Sequence, residues 1–305
     1  MRGSMLVALV LQSVAAAAGE PEVMNASDAL ELPRPAADHR LAYGAGELQF
    51  GELRLPSGAG PHPVAVVVHG GCWLAEYDLG HIASLAAALT ETGVATWSVE
   101  YRRVGDDGGG WPGTFLDVAA AADHLVELAE EFHLDLDRVV AVGHSAGGHL
   151  ALWLAARQRL SPDDPLRGGS PLPLAGGVAL AGIPDLTAYA APTGCGAAVP
   201  GLLGGEPEEV PGRLHRASPI ELLPFGAPQI LVLGGLDTIV PAEQAERYAA
   251  AAQRAGDRVE LREVPAAGHF ELIAPDSVAW SAVRDAVLEL IEAAIREDNL
   301  PTGER

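Results

Sequence analysis

The chain has 305 residues, 49% of them hydrophobic, with 19 basic and 41 acidic side chains. This length fits one large domain or two small ones, and a formal net charge of −22 repels nucleic-acid phosphates and anionic lipid surfaces. Composition therefore argues against a nucleic-acid partner.

Residues 1–37 are expected to lie outside the fold. Residues 1–19 combine an early Arg2 with an apolar run and an alanine-rich end, as a signal peptide does, and the run is too short to span a membrane. Alternatively, Met24 is the true start. The first interpretation makes the protein secreted or periplasmic and the second makes it cytoplasmic. The proline-rich sequence ELPRPAAD, which follows, is typical of a tether.

Strand-like and helix-like segments alternate from there on. The strand-like runs are 48–55, 63–69, 93–100, 138–144, 177–182, 228–235 and 258–264, and the helix-like segments are 83–93, 115–132, 148–158, 242–256 and 277–297. Helices that recur between buried strands predict an α/β fold whose central sheet is mostly parallel and covered on both faces. We expect one domain over residues 38–298 and a tail over 299–305.

The sequence GHSAG, residues 143–147, joins a strand-like run to a helix-like one. Gly143, Ser145 and Gly147 match G-x-S-x-G, the pattern of a nucleophile elbow, in which a strained turn exposes the serine hydroxyl beside a helix N-terminus. The alternative is a serine that merely caps the helix. The flanking segments favour the elbow.

A serine nucleophile needs a histidine base and a carboxylate that orients the histidine. Asp237 follows one strand-like run and His269 follows the last one, which gives the chain order Ser, Asp, His. Asp185, after the preceding run, is the alternative acid. Each residue also has an ordinary interpretation as a turn, cap or solvated loop residue.

The sequence HGGCW, residues 69–73, ends a strand-like run and predicts an oxyanion hole. Its two glycines let the backbone turn amides inward, so we expect the N–H groups of Gly71 and Cys72, together with that of Ala146, to bind the oxyanion. Cys72 would act through its backbone. We expect its thiol to be unpaired, with a bridge to Cys195 as the less favoured alternative. His69 is expected to brace the loop by hydrogen bonds.

Two tryptophans and one ion pair are further candidates. Trp73 and Trp111 are predicted to line the substrate entrance, although the core and an exposed loop, respectively, are ordinary alternatives. Arg102 and Asp117 are predicted to form a packing pair beneath the sheet edge.

HGG-x-W, GHSAGGHLA, GGLDTIVP and AAGHF together resemble the α/β-hydrolase superfamily from about residue 45 onward. The similarity is greatest to its esterase/lipase branch, which includes HGG-x-W carboxylesterases and kynurenine-formamidase-like enzymes. The resemblance implies Ser145 as nucleophile, Asp237 as acid and His269 as base. Cys72 stands where hormone-sensitive-lipase-like members have a third glycine, which leaves the acyl group open.

The expected activity is hydrolysis of carboxylic esters of small to medium acyl groups through an acyl-enzyme, without metal or cofactor. The segment 191–216, rich in glycine and proline, is the expected site of a lid. It is too short for a large cap, which favours small or medium acyl groups over long-chain lipids. Alternatives are an arylformamidase, a peptidase that resembles prolyl oligopeptidase, and a non-catalytic ligand-binding fold. The prolyl oligopeptidase family usually has a large N-terminal domain, for which this chain has no room. The partner is a small ester or amide; the sequence does not specify the oligomeric state.

Overall fold

A computed structural model describes residues 23–191 and 194–298. Its sheet has eight strands: β1 (His39–Ala42), β2 (Phe50–Arg54), β3 (His62–Val68), β4 (Ala95–Val99), β5 (Leu134–His144), β6 (Gly176–Leu180), β7 (Gln229–Gly234) and β8 (Val259–Val264). Their spatial order is β1-β2-β4-β3-β5-β6-β7-β8. The pairs β1/β2 and β2/β4 are antiparallel, and all the others are parallel.

The helices are α1 (Ala26–Leu30), α2 (Ala83–Glu91), α3 (Gly113–Asp123), α4 (Leu125–Phe132), α5 (Ala146–Ala156), α6 (Leu186–Tyr189), α7 (Val199–Leu203), α8 (Pro211–Ala217), α9 (Ala242–Ala255) and α10 (Trp280–Asp298). The predicted mostly parallel sheet with helices on both faces is confirmed. None of the described helices is long and apolar enough to cross a membrane.

Alternation along the central strands divides the core between the two faces. On β3, Val64, Val66 and Val68 pack with α3 and α5, whereas Ala65 and Val67 pack with α2 and α10. Because consecutive strand side chains point to opposite faces, an unbroken apolar run is buried on both sides. The helix α9 packs on the α5 side through Ala245, Tyr248 and Ala252, in a smaller cluster that includes Leu152.

The structure differs from the predicted elements in three places. Strand β1 was not predicted, because its side chains are all exposed or half-buried and an edge strand of this kind has no apolar pattern. The predicted helix over 115–132 is two helices that meet at His124. The insertion after β6 contains the short helices α6, α7 and α8 where a loop-like lid was expected.

Residues 23–37 pack on the domain, which corrects the prediction that they form a tether outside it. Asn25 caps α1 by accepting the Ser27 N–H at 2.8 Å, and Ala29 is buried. Further along, the Pro33 carbonyl accepts the Ser84 hydroxyl at 2.7 Å. Apolar contact and these hydrogen bonds hold the segment in place. The calls on residues 1–22 and 299–305, including the signal peptide and the tail, lie outside the described residues.

The predicted pair of Arg102 and Asp117 is confirmed. The Arg102 Nε and Nη2 groups each donate to an Asp117 carboxylate oxygen at 2.7 Å, and the Asp117 side chain is almost fully buried. Asp117 lies on α3 and Arg102 follows β4, so this two-point ion pair fixes the helix against the end of the strand.

Candidate active site

The sequence-predicted triad residues lie at one edge of the sheet. Ser145 follows β5, Asp237 lies three residues after β7, and His269 lies five residues after β8. The HGGCW loop follows β3. Because these strands are parallel neighbours, their carboxyl ends open into a common crevice, where ligands bind in sheets of this kind.

The turn at Ser145 has the strained geometry of an elbow. Ser145 has φ 56° and ψ −120°, in a region that few non-glycine residues adopt, and its N–H donates to the Leu180 carbonyl at 2.8 Å. A Cβ on Gly143 would lie 2.1 Å from the Gly147 carbonyl oxygen, and one on Gly147 would lie 2.1 Å from that of Val68. The close approach of strand and helix therefore requires both glycines of the motif.

His269 is held by Asp237. Its Nδ1 lies 2.7 Å from Asp237 Oδ2, and the side chains are about 5% and 2% exposed. The other carboxylate oxygen of Asp237 accepts the N–H groups of Ile239 and Val240 at 2.7 and 2.9 Å. Asp185, the alternative acid, instead caps α6 by accepting the Ala188 N–H at 3.0 Å. The geometry thus favours Asp237 as the partner of His269.

A cavity of about 150 Å³ brings most of the candidate residues together. Its walls include Ser145, His269, Gly71 and Cys72, and also residues that sequence reasoning missed: Ala26, Ala29, Leu30, Tyr77, His81, His144, Cys195, Ile239 and Phe270. Of the missed residues, those on α1 had a sequence signal, since Asn25 and Asp28 form a capping box.

Three backbone amides are available for an anion, two from the cavity wall (Gly71 and Cys72) and one from Ala146, the residue after Ser145. Ala146 is the first residue of α5, so its N–H has no intrahelical acceptor. Within residues 23–191 and 194–298, the N–H groups of Gly71, Cys72 and Ala146 have no protein hydrogen-bond acceptor. These are the donors that the sequence predicts for the oxyanion hole.

The loop that carries two of these amides has an unusual backbone. Gly71, Cys72 and Trp73 have φ values of 101°, 54° and 59°. A Cβ on Gly71 would lie 2.3 Å from the Tyr77 side chain, so glycine is required there for space as well as for conformation. The loop is closed by the Leu74 N–H, which donates to the Gly71 carbonyl at 2.9 Å.

A disulfide joins Cys72 to Cys195, with their Cα atoms 5.0 Å apart. The expectation of an unpaired Cys72 thiol is therefore corrected. The two cysteines are 123 residues apart in sequence, and only the folding of the lid segment against the oxyanion loop brings them together. Both line the cavity that contains Ser145.

His69 braces the oxyanion loop, as the sequence predicts. Its Nδ1 lies 2.8 Å from the Gly70 carbonyl and its Nε2 lies 3.0 Å from Glu100 Oε1. Burial opposes the charge of Glu100, but the charge and hydrogen bond of His69, together with Arg103, hold the pKa of Glu100 below its usual value. The Glu100 carboxylate also accepts the Leu79 N–H at 3.1 Å.

Two further histidines form a chain behind the site. His144 Nε2 lies 3.0 Å from the His269 carbonyl oxygen, and His81 Nε2 lies 2.9 Å from His144 Nδ1. Burial, then the nearby histidines, lowers the pKa of His81 to about 3 and that of His144 well below its usual range. Both rings are therefore neutral near pH 7, with each Nε2–H donating along the chain toward the His269 backbone.

Neither predicted entrance tryptophan lies at the cavity. Trp73 is fully buried, and its indole N–H donates to His149 Nδ1 at 3.1 Å, which makes it part of the core. Trp111 packs on Phe115, with the Arg216 guanidinium 4.8 Å from its ring centroid. Both substrate-binding predictions are corrected. No group of three or more potential metal-ligating side chains occurs in the described part of the chain.

Comparison with known proteins decides the family. A sequence model of the BD-FAE family matches residues 52–251, which include Ser145 and Asp237. This chain belongs to the BD-FAE family. It is thus a member of the esterase/lipase branch of the α/β hydrolases, as the motif resemblance implied.

Individual proteins that resemble this BD-FAE family member are esterases by name. Esterase LipQ of Mycobacterium tuberculosis (strain ATCC 25618 / H37Rv) is 30% identical over 295 residues, which cover 89% of this chain and 68% of LipQ. Esterase LipC of the same organism is 27% identical over 77% of this chain and 60% of its own length. The structure of Esterase B from Lactobacillus Rhamnosis (HN001) has the same fold, with a TM-score of 0.74, 18% identity and coverage of 89% of this chain and 91% of that one.

Proposed function

We propose that this chain is a serine hydrolase that cleaves carboxylic esters of small to medium acyl groups through an acyl-enzyme. The observation that carries the proposal is the 2.7 Å contact between His269 Nδ1 and Asp237, together with the cavity that His269 and Ser145 both line. The relatives LipQ and LipC, both named as esterases, support the same class of substrate.

In the first half of the reaction, Ser145 Oγ attacks the ester carbonyl carbon while His269 Nε2 accepts the hydroxyl proton. Asp237 accepts the His269 Nδ1–H and stabilises the imidazolium that forms. The negative charge on the carbonyl oxygen is held by the amides of Gly71, Cys72 and Ala146. His269 then donates its proton to the leaving alcohol, and the acyl group stays bonded to Ser145.

In the second half, water takes the place of the alcohol. His269 accepts a proton from the water, whose oxygen attacks the acyl carbon, and the same three amides hold the second oxyanion. The bond to Ser145 Oγ breaks as His269 returns the proton to it. The products are a carboxylic acid and the regenerated serine, with no cofactor needed to balance the reaction.

The Ser145→Ala variant tests the proposal. It removes one hydroxyl, so we expect turnover of p-nitrophenyl acetate to fall by at least about a thousandfold, with an unchanged melting temperature. The exposed Ser161→Ala is the matched control and should keep wild-type turnover. A p-nitrophenyl phosphonate should phosphonylate Ser145 Oγ with release of p-nitrophenol, so the peptide that contains Ser145 should gain the mass of the phosphonyl group alone. Wild-type turnover by Ser145→Ala would refute the serine mechanism.

A further inference from the structure

The helix α1 lies over the cavity that contains Ser145. It contributes Ala26, Ala29 and Leu30, whereas the other walls come from the strand ends and the loops that follow them. Ala29 is buried, while Leu30 is 50% exposed and forms the rim together with Ile239, which is 37% exposed. A segment that precedes the whole sheet in the chain therefore closes one side of the site.

Glu271 fastens α1 to the loop that carries His269. One oxygen of its buried carboxylate accepts the Met24 N–H, and the other accepts the Gly268 N–H at 2.9 Å. The helix is thus tied by a single side chain to the residue before His269. Its three wall residues hold a fixed position relative to the reacting atoms.

A second cavity, of about 500 Å³, adjoins the first, because Cys195 and Ile239 line both. Its walls include the exposed and partly charged side chains of Thr238, Glu243 and Arg247. The leaving alcohol of an ester must escape to solvent after the first step, whereas the acyl group stays on Ser145 until water attacks. The larger cavity, which is more open to solvent, therefore suits the alcohol, and the smaller one, which is the more apolar of the two, suits the acyl chain.

We propose that α1 forms the outer wall of the acyl pocket and that Ala26 and Leu30 set the length of acyl chain that the enzyme accepts. This inference rests on the proposed esterase function. The cavity is small, at about 150 Å³. It admits only a short acyl chain with α1 in place, and longer chains meet the Leu30 side chain.

Two variants change the wall in opposite directions. Leu30→Ala enlarges the pocket, so kcat/KM for p-nitrophenyl octanoate relative to acetate should rise by about tenfold. Ala26→Leu shortens the pocket, so kcat/KM for the butyrate relative to the acetate should fall by about tenfold. One methylene in an apolar pocket discriminates by a factor of about ten or more, so these ratios are well within measurement.

Two matched controls place the same changes away from the cavity. Ser27→Leu introduces leucine one position along α1, at an exposed residue that does not line the pocket, and Val126→Ala truncates an exposed side chain on α4. Both should keep the wild-type ratios. Melting temperatures of all four variants establish that each is folded.

The outcomes separate the two proposals. Unchanged acyl ratios in both folded wall variants, with turnover still dependent on Ser145, would overturn the role of α1 and leave the esterase function standing. Wall variants that alter the preference among acetate esters of different alcohols, but not among acyl chains, would also overturn it. Turnover that survives in Ser145→Ala would refute the proposed serine esterase function.

Discussion

At the scale of single residues, three non-glycine positions in the elbow and the HGGCW loop have positive φ: Ser145, Cys72 and Trp73. Such conformations cost about 1–3 kcal/mol each and persist only where surrounding contacts fix them. Here the contacts are identifiable. The Ser145 N–H bonds to Leu180, Cys72 is bridged to Cys195, and the Trp73 indole bonds to His149. The rest of the fold thus holds the proposed nucleophile and oxyanion donors in place.

The two candidate acids can be separated by matched substitutions. Asp237→Asn keeps the shape of the side chain but removes the charge that stabilises the His269 imidazolium, and it presents N–H to a ring nitrogen that should itself donate. We expect kcat for p-nitrophenyl acetate to fall by about ten-thousandfold, as in the serine protease precedent. The measurement is steady-state kinetics near pH 7, with melting temperatures recorded in parallel.

Asp185→Asn is the control for that experiment. Its side chain caps α6, and an asparagine oxygen caps a helix as well as a carboxylate does. Its kcat should stay within about threefold of wild type. If Asp185→Asn were the crippling change and Asp237→Asn were tolerated, the assignment of the acid would be wrong.

The proximity of Ser145, Asp237 and His269 could be predicted from the sequence, whereas the environment of Trp73 and the partner of Cys72 could not. Ser145 directly follows β5, and Asp237 and His269 lie on the loops that follow β7 and β8, so the parallel topology predicts that the three residues lie at one edge of the sheet. Trp73 gives no such signal, because its burial depends on His149, 76 positions away. The partner of Cys72 is likewise invisible in sequence, since the bridge exists only once the lid segment has folded onto the loop.

At the scale of elements, the disulfide connects two loop segments that are far apart in the sequence. One cysteine belongs to the oxyanion loop and the other to the 3₁₀ turn Gly194–Ala198 that precedes α7. The loop is therefore restrained at two points, by the bridge at Cys72 and by the contact of His69 with Glu100. The segment that carries Cys195 thereby supports the proposed oxyanion hole and also contributes a wall of the cavity.

Removing the bridge should cost stability and rate together. We expect Cys195→Ser to lose about 2–4 kcal/mol of unfolding free energy, because a link between distant residues restricts the unfolded chain. We also expect kcat to fall more than KM rises, since the Cys72 amide acts mainly on the oxyanion. Urea unfolding and steady-state kinetics measure the two effects.

A reductant provides the internal control for the bridge. Dithiothreitol should lower the urea midpoint of the wild type to that of Cys195→Ser and leave the variant unchanged. The Cys72→Ser and double variants should match Cys195→Ser, because the two thiols stabilise only as a pair. A wild-type midpoint that is insensitive to reduction under denaturing conditions would contradict the role of the bridge.

Elements also differ in how far their sequences reveal them. The apolar runs of β3 to β7 are predictable because both faces of these strands are buried. The edge strand β1 and the five-residue helix α1 are too short for a period to emerge, and the only sequence signal of α1 is its capping box. Sequence periodicity therefore does not predict the helix that forms the proposed acyl wall.

At the scale of the whole molecule, buried neutral histidines link folding to pH. Burial lowers the pKa of His149 to about 4, and lowers those of His81 and His144 as well. An unfolded histidine titrates near about 6.5. Between these values the unfolded chain binds more protons than the folded one, so stability is fully present above about pH 6.5 and is lost as the pH falls toward the folded pKa values.

Urea midpoints between pH 7.5 and 5 measure this linkage. His149 alone should account for roughly 2 kcal/mol of the stability lost over that range. His149→Gln retains a donor and an acceptor for Ala217 and Trp73 but does not titrate, so its stability should fall less steeply than that of the wild type. The exposed His215→Gln controls for the loss of one histidine. Identical slopes for wild type and His149→Gln would rule out the linkage.

The place of α1 in the chain has a consequence for how this enzyme could be diversified. The helix comes before β1, which begins at His39, so no connection between strands passes through it. Its attachment is local, through Glu271, Ala29 and the turns that follow. A different leader could therefore be grafted ahead of β1 without interrupting the sheet or moving the reacting groups. On our proposal, such a chimaera would change which acids the enzyme releases while its chemistry stayed the same.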